Sequence, residues 1–195
     1  MNGSIALPWV CVGLMAKYPG VYQLNGKTGS GRPDLTGAFI AGGALLAMRA
    51  YFDVHVLDWP ALLPWAAAAG MALAVAMGWV NRSASRKIGN VIVILLVSSA
   101  YGVGAATYAN SVFDASVPSA YQPSVLRKHA SGGRYQTYEL LVGPWGTYKT
   151  AGDIRVSAAL YRQSRVGQPV CVELRSGAFR IQWYSVSVCN EPPSR

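Results

Sequence analysis

Ala61-Leu-Leu-Pro-Trp-Ala-Ala-Ala-Ala-Gly-Met-Ala-Leu-Ala-Val-Ala-Met-Gly-Trp-Val80 is a run of twenty residues without a charge. As an α-helix it rises about 30 Å, the thickness of a bilayer's hydrocarbon core. Trp59 and Trp65 stand near one end and Trp79 at the other, where indole rings settle at a membrane–water interface. The stretch predicts a transmembrane helix.

Working outward, Val91 to Ala109 opens on Val91-Ile92-Val93-Ile94-Leu95-Leu96-Val97 and also runs to its end without a charge, which predicts a second span. Leu35 to Val54 is read as a third, although Arg49 and Asp53 lie inside it. Four apart on a helix, they share a face and can pair near the interface. Ile5 to Ala16 is apolar for about twelve residues but interrupted by Pro8, too short to cross unless re-entrant. It makes a poor signal peptide, because Lys17 follows it and no basic residue precedes it. We expect an interfacial or loosely packed segment there, with a short fourth helix as the alternative, and a Gly- and Pro-rich loop over Lys17 to Asp34.

The whole chain agrees with these segments. Of 195 residues 52% are hydrophobic and 13% charged, against roughly a quarter charged in soluble domains, and so apolar a chain is not disordered. Up to Ala109 there are seven basic and three acidic residues; ten basic and five acidic follow. Two solvents are implied. The expected organisation is an N-terminal interfacial segment and loop (1–34), a three-helix transmembrane domain (35–109) and a water-soluble domain (110–195). The basic surplus is spread out rather than striped, which suits orientation and contact with the lipid bilayer better than nucleic acid, and no nucleic-acid partner is expected.

Loop charges set the orientation. With the N-terminus in the cytoplasm, Lys17, Lys27, Arg32, Arg82, Arg86 and Lys87 lie inside, and Arg49, Arg127 and Lys128 outside. The positive-inside bias favours this arrangement. Three spans then deliver the C-terminal domain across the membrane, which for a bacterial inner membrane means the periplasm.

That domain reads as mostly β. Strand-like segments occur at Ser124–Lys128, Tyr135–Val142, Ile154–Val156, Val170–Leu174 and Ile181–Val188, separated by Gly, Pro and Ser. The expectation is a small antiparallel barrel or sandwich, with one helical turn at Ser157–Arg162. Cys171 and Cys189 fall in two consecutive strand-like segments, Pro169 to Arg175 and Ala178 to Cys189, and two readings stay open: a structural disulfide in an oxidising compartment, or two small buried hydrophobes. Cys11 has no partner on its side of the membrane, and without a CxxC pair neither a thiol-redox enzyme nor a zinc site is expected.

A resemblance rests on Ala120-Tyr121, Val125, Lys128, Ser131-Gly132, Tyr135, Tyr138, Gly143-Pro144-Trp145-Gly146, Ile154, Val156, Tyr161, Gly167, Val170-Cys171-Val172 and Gly177 through Trp183-Tyr184. The pattern resembles the C-terminal domain of small uncharacterised bacterial membrane proteins, in which a few spans precede an extracytoplasmic β domain. It implies an architecture and no activity. Phe179-Arg180-Ile181 stands where that pattern has a Leu-Gly-Ile type turn, so the last hairpin is expected to differ locally.

Motifs for chemistry are weak. Gly26-Lys27-Thr28 invites comparison with a phosphate-binding loop, but Val21 stands where the pattern needs Gly. Asp53, His55 and Asp58 gather at the outer end of the first span, yet their spacing does not bring all three to one helical face; we read them as a polar collar rather than metal ligands. His129 has no acidic neighbour in sequence, and the acidic residues of the β domain are scattered. Neither a nucleophile elbow nor a zinc-protease helix is present. No cofactor, metal or catalytic residue is assigned, and an enzyme is not expected.

The spans do offer packing surfaces. Ala66, Gly70, Ala74 and Gly78 recur every four residues, and Ser98 with Gly102 (and Ala100 with Gly104) repeats the spacing; small residues let helices approach closely in lipid. One such stripe serves internal packing, and a second is free for another polypeptide. Trp145, Tyr148, Trp183 and Tyr184 are candidate partner-binding aromatics, at least half of them expected in the core. The leading expectation is a non-enzymatic accessory or assembly subunit of a larger membrane complex. The alternative is a homo-oligomeric channel or transporter component, and a membrane-anchored enzyme comes third.

Overall fold

The computed structural model describes residues 3–19, 21–22, 33–80, 88–132 and 136–189, without the side chains of 3–5 and 53. The chain divides into two compact units, Met1–Val54 with Asp58–Phe113, and His55–Leu57 with Asp114–Arg195.

The first unit is helical: α1 (Gly3–Lys17), α2 (Thr36–Asp53), α3 (Trp59–Val80) and α4 (Ile88–Val112). Of these, α3 and α4 are long and apolar enough to cross a membrane, whereas the apolar part of α2, Thr36–Phe52, is shorter. The Asp34 carboxylate accepts from Thr36 N (2.8 Å) before α2, and that of Asp58 from Ala61 N (3.1 Å) in the first turn of α3. Both satisfy amides that a helix start leaves without intrahelical partners.

The core of this unit joins Cys11 and Met15 of α1 to Phe39, Leu46, Leu73, Met77, Ile94, Val97 and Tyr101. The loose packing expected for Ile5–Ala16 is therefore corrected. Pro8, read as an interruption, is buried inside α1, with its ring 2.9 Å from where a Cβ on Gly42 would sit. Trp9 Nε1 donates to the Tyr101 hydroxyl at 2.8 Å. Apolar side chains also face outward: most of α3 and α4 is not buried within the protein, and Leu63, Met71, Val75, Trp79, Leu95 and Leu96 are exposed.

The second unit contains β1 (His55–Val56), β2 (Ser119–Tyr121), β3 (Val125–Ser131), β4 (Thr137–Val142), β5 (Gly152–Val156), α5 (Ala158–Gln163), β6 (Val170–Arg175) and β7 (Trp183–Val188). The strands form two antiparallel sheets, ordered β1-β7-β6-β2 and β3-β4-β5. Inward residues alternate with outward ones along β5 and β6 and at the end of β4, as half-buried strands require. Val125, Leu140, Val142, Ile154 and Val156 from one sheet meet Val170, Val172 and Leu174 from the other in one core. Helix α5 starts on Ser157, whose hydroxyl accepts from Leu160 N, and at its other end Lys128 Nζ donates to the carbonyls of Tyr161 and Ser164 (2.5 and 2.7 Å), a cation where the helix dipole is negative. The five expected strands and the helical turn are present; β1 and β2 are additional.

Candidate functional site

Within the helical unit, the small-residue stripe of α3 meets that of α4. A Cβ on Gly70 would lie 2.7 Å from the Ser98 carbonyl oxygen. One on Gly102 would collide with the Ala66 carbonyl and reach 2.8 Å from Gly70 N. Backbone therefore meets backbone, and Ala66, Gly70, Ser98 and Gly102 are spent on packing within the chain. Gly104 makes a similar approach to Leu46 and Ala47 of α2, its Cβ position 2.8 Å from the Leu46 carbonyl carbon. At Gly78 a Cβ would meet nothing within 4 Å.

Alongside this seam a groove of about 370 Å³ remains. Leu63, Ala67, Met71 and Ala74 line it from α3, and Leu95, Ser99 and Val103 from α4, above a floor of Ala66, Gly70 and Ser98. The Ser99 hydroxyl bonds back to the Leu95 carbonyl at 2.8 Å, whereas the buried Ser98 hydroxyl has no hydrogen-bond partner. No ionisable side chain lines the groove.

In the β unit the four candidate aromatics part company. Trp145 is buried in the core, on a turn closed by paired backbone bonds with Tyr148 (3.0 and 2.9 Å). Gly146 takes φ 55° there, and its Cβ position lies 3.4 Å from the Tyr121 ring, a conformation and a spacing that favour glycine. Trp183 donates Nε1 to Asp114 at 2.8 Å, and Tyr184 stacks on His55 with ring centroids 5.0 Å apart. Tyr148 alone of the four is exposed.

Two arrangements were not legible in the sequence. The Asp114 carboxylate accepts from Ser116 N, Gly177 N and Trp183 Nε1 (2.8, 3.0 and 2.8 Å), tying the segment after α4 to the β6–β7 turn. Burial alone would raise its pKa, but these bonds and the Ser116 hydroxyl outweigh burial and hold the carboxyl below its usual range. The other is β1 itself, contributed by the link between α2 and α3: His55 pairs with Tyr184, Val56 with Trp183, and Leu57 N donates to Gln182 O at 2.9 Å. Burial, then the positive charge of Arg155, lowers the His55 pKa. Burial, reinforced by Tyr148, pushes the Tyr184 phenol up to about 12.

The expected polar collar does not converge on one ligand. His55 stacks in the sheet and Asp58 caps α3, while the side chain of Asp53, and with it the Arg49 pairing, lies outside the described residues, as does Gly26-Lys27-Thr28. His129 faces Glu139 across the β3–β4 ladder, an acidic neighbour invisible in sequence. Among the described residues no group of three His, Cys, Asp or Glu side chains could hold a metal ion. Cys171 and Cys189 form a disulfide, their Cα atoms 5.1 Å apart, and Cys11 is a buried free thiol. In comparisons with family models, curated proteins and solved structures, the chain matches none of them, so its role must be argued from its own residues.

Proposed function

We propose that this chain is a non-enzymatic integral membrane subunit of the bacterial inner membrane, an accessory or assembly component that binds another membrane protein through its helices and its extracytoplasmic β unit. The observation that carries this reading is the groove beside the α3–α4 seam. Internal packing consumes Gly70 and Gly102, yet Ala67, Met71 and Ala74 still border an open apolar channel, and in lipid such a recess gains van der Waals contact from a fitting helix.

The placement has its own support. Apolar side chains on the outside of α3 and α4 suit lipid and not water. Because β1 and β7 share a sheet, two crossings by α3 and α4 return the chain to one side, and α2 then acts as the third span that carries it there from a cytoplasmic N-terminus. The disulfide suits an oxidising compartment, and the charges of Lys17, Lys27, Arg32, Arg82, Arg86 and Lys87 suit a cytoplasmic face. A conduit through one chain is disfavoured. Phe39, Leu73 and Met77 fill the helical core, and Arg49 is exposed.

The test is purification of the tagged chain from its native membrane in mild detergent, followed by native mass. The expected result is a foreign polypeptide at fixed stoichiometry that Ala67→Leu with Ala74→Leu releases while the chain stays in the membrane. A species built of this chain alone contradicts the proposal.

A further inference from the structure

The seam between α3 and α4 leaves one polar group unused. A Cβ on Gly70 would lie 2.7 Å from the Ser98 carbonyl oxygen, so the backbone of Ser98 belongs to the contact with α3. Its hydroxyl does not. Ser98 is 2% exposed and lines the groove beside the seam, and among the described residues its hydroxyl oxygen has no hydrogen-bond partner. The next residue shows the ordinary solution for a serine in an apolar helix: the Ser99 hydroxyl donates to the Leu95 carbonyl one turn back, at 2.8 Å. Ser98 is left without one, and a buried hydroxyl in that state is costly.

Depth decides between the occupants that the groove admits. Ser98 is the eleventh of the 25 residues of α4, about 15 Å from its start at 1.5 Å per residue. It meets Gly70, the twelfth of the 22 residues of α3. In a membrane, both stand near the middle of a hydrocarbon layer about 30 Å thick, with the lipid headgroups at its borders. An acyl chain suits the walls of Leu63, Met71, Leu95 and Val103 but offers no acceptor at that depth. Water needs two or more polar partners to stay in a recess, and the hydroxyl of Ser99, the other serine of the lining, is already bonded. A transmembrane helix supplies what both lack, a polar side chain on an otherwise apolar surface.

We infer, on the reading of the groove as a partner site, that its occupant is a transmembrane helix carrying Asn, Gln, Ser or Thr on its contact face, and that this side chain shares a hydrogen bond with the Ser98 hydroxyl. With no bond holding it, the hydroxyl is free to turn about χ1 toward the newcomer. Ala66 and Gly70 beside it are small, which lets the partner backbone come close. The rest of the lining packs an apolar helix in many positions; the single hydroxyl selects one. Sliding the partner by a turn, about 5.4 Å, leaves two polar groups unpaired in hydrocarbon, so Ser98 sets the register of docking.

The test places a diazirine amino acid at Met71, which is exposed and lines the groove next to Gly70, in the full chain in its native membrane. Illumination is expected to give an adduct to an apolar segment of a foreign polypeptide, with Asn, Gln, Ser or Thr within one helical turn of the attached residue when the peptide is sequenced. Ser98→Ala removes a hydroxyl that nothing in the chain uses, so thermal unfolding in detergent should not fall. The same change should lower the adduct yield about three- to twentyfold, the range spanned by hydrogen bonds between membrane helices. Ser99→Ala, whose hydroxyl is spent on Leu95, should leave the yield as it is. Equal yields from the two variants, or an adduct to a segment without such a side chain, overturn the inference and leave the groove standing as a partner site, which the Ala67 and Ala74 substitutions test separately. Adducts to lipid alone, or none, overturn both.

Discussion

Gly102 carries the tightest approach between α3 and α4. A methyl group there collides with the Ala66 carbonyl and sits 2.8 Å from Gly70 N, and backbone on a facing helix cannot rotate away as a side chain can. Gly102→Ala is expected to destabilise the helical unit by about 1–3 kcal/mol through overpacking. Gly78→Ala, which meets nothing within 4 Å, should stay within about 0.5 kcal/mol; thermal unfolding in detergent compares them. Arg180 holds the opposite kind of strain, with φ 60° in the turn before β7, the region that glycine enters without a Cβ penalty. Arg180→Gly should therefore stabilise the β unit by up to about 1 kcal/mol, read as an upward shift in its unfolding midpoint.

Among the elements, β1 is the most exposed to chemistry. His55 stacks on Tyr184, and its pKa is lowered below 6.5 first by burial and then by Arg155. An unfolded chain takes up that proton earlier, so the stabilising contribution is complete above about pH 6.5 and declines as the pH falls through that value toward the folded one. Stability of the β unit is expected to drop between pH 7 and 5.5, and His55→Phe, which keeps a ring on Tyr184 without a titrating group, should flatten the drop. An unchanged slope in the variant would remove His55 as its cause. The elements differ in how far they were legible. Unbroken apolar length wrote α3 and α4 into the sequence, and β-branched and aromatic runs bounded by Gly and Pro wrote β3 to β7. Strand β1 has two residues and exists because β7 offers an edge, which no local pattern encodes. The packing of α1 was hidden for a related reason: its residues are apolar all round, so periodicity could not say which side would be covered. The stripes had the same ambiguity, since Gly70 and Gly78 look alike until Ser98 of α4 closes on one and nothing closes on the other.

At the scale of the whole molecule, the two units differ in the surfaces they present. The helices turn apolar side chains outward as well as inward. The β unit keeps a conventional core and a disulfide and draws its edge strand from the turn between α2 and α3. A fragment beginning at Asp114 would therefore lack β1. The most direct test of the account is the side of the membrane on which each part lies. Single cysteines at Ser131 and Ser85, in chains with Cys11 replaced by Ala, are exposed in intact spheroplasts to a thiol reagent that cannot cross membranes. The account predicts labelling at position 131 and none at position 85 until the membrane is opened. Labelling at 85 with protection at 131 would contradict it, placing the β unit in the cytoplasm, where neither the disulfide nor an extracytoplasmic partner is expected.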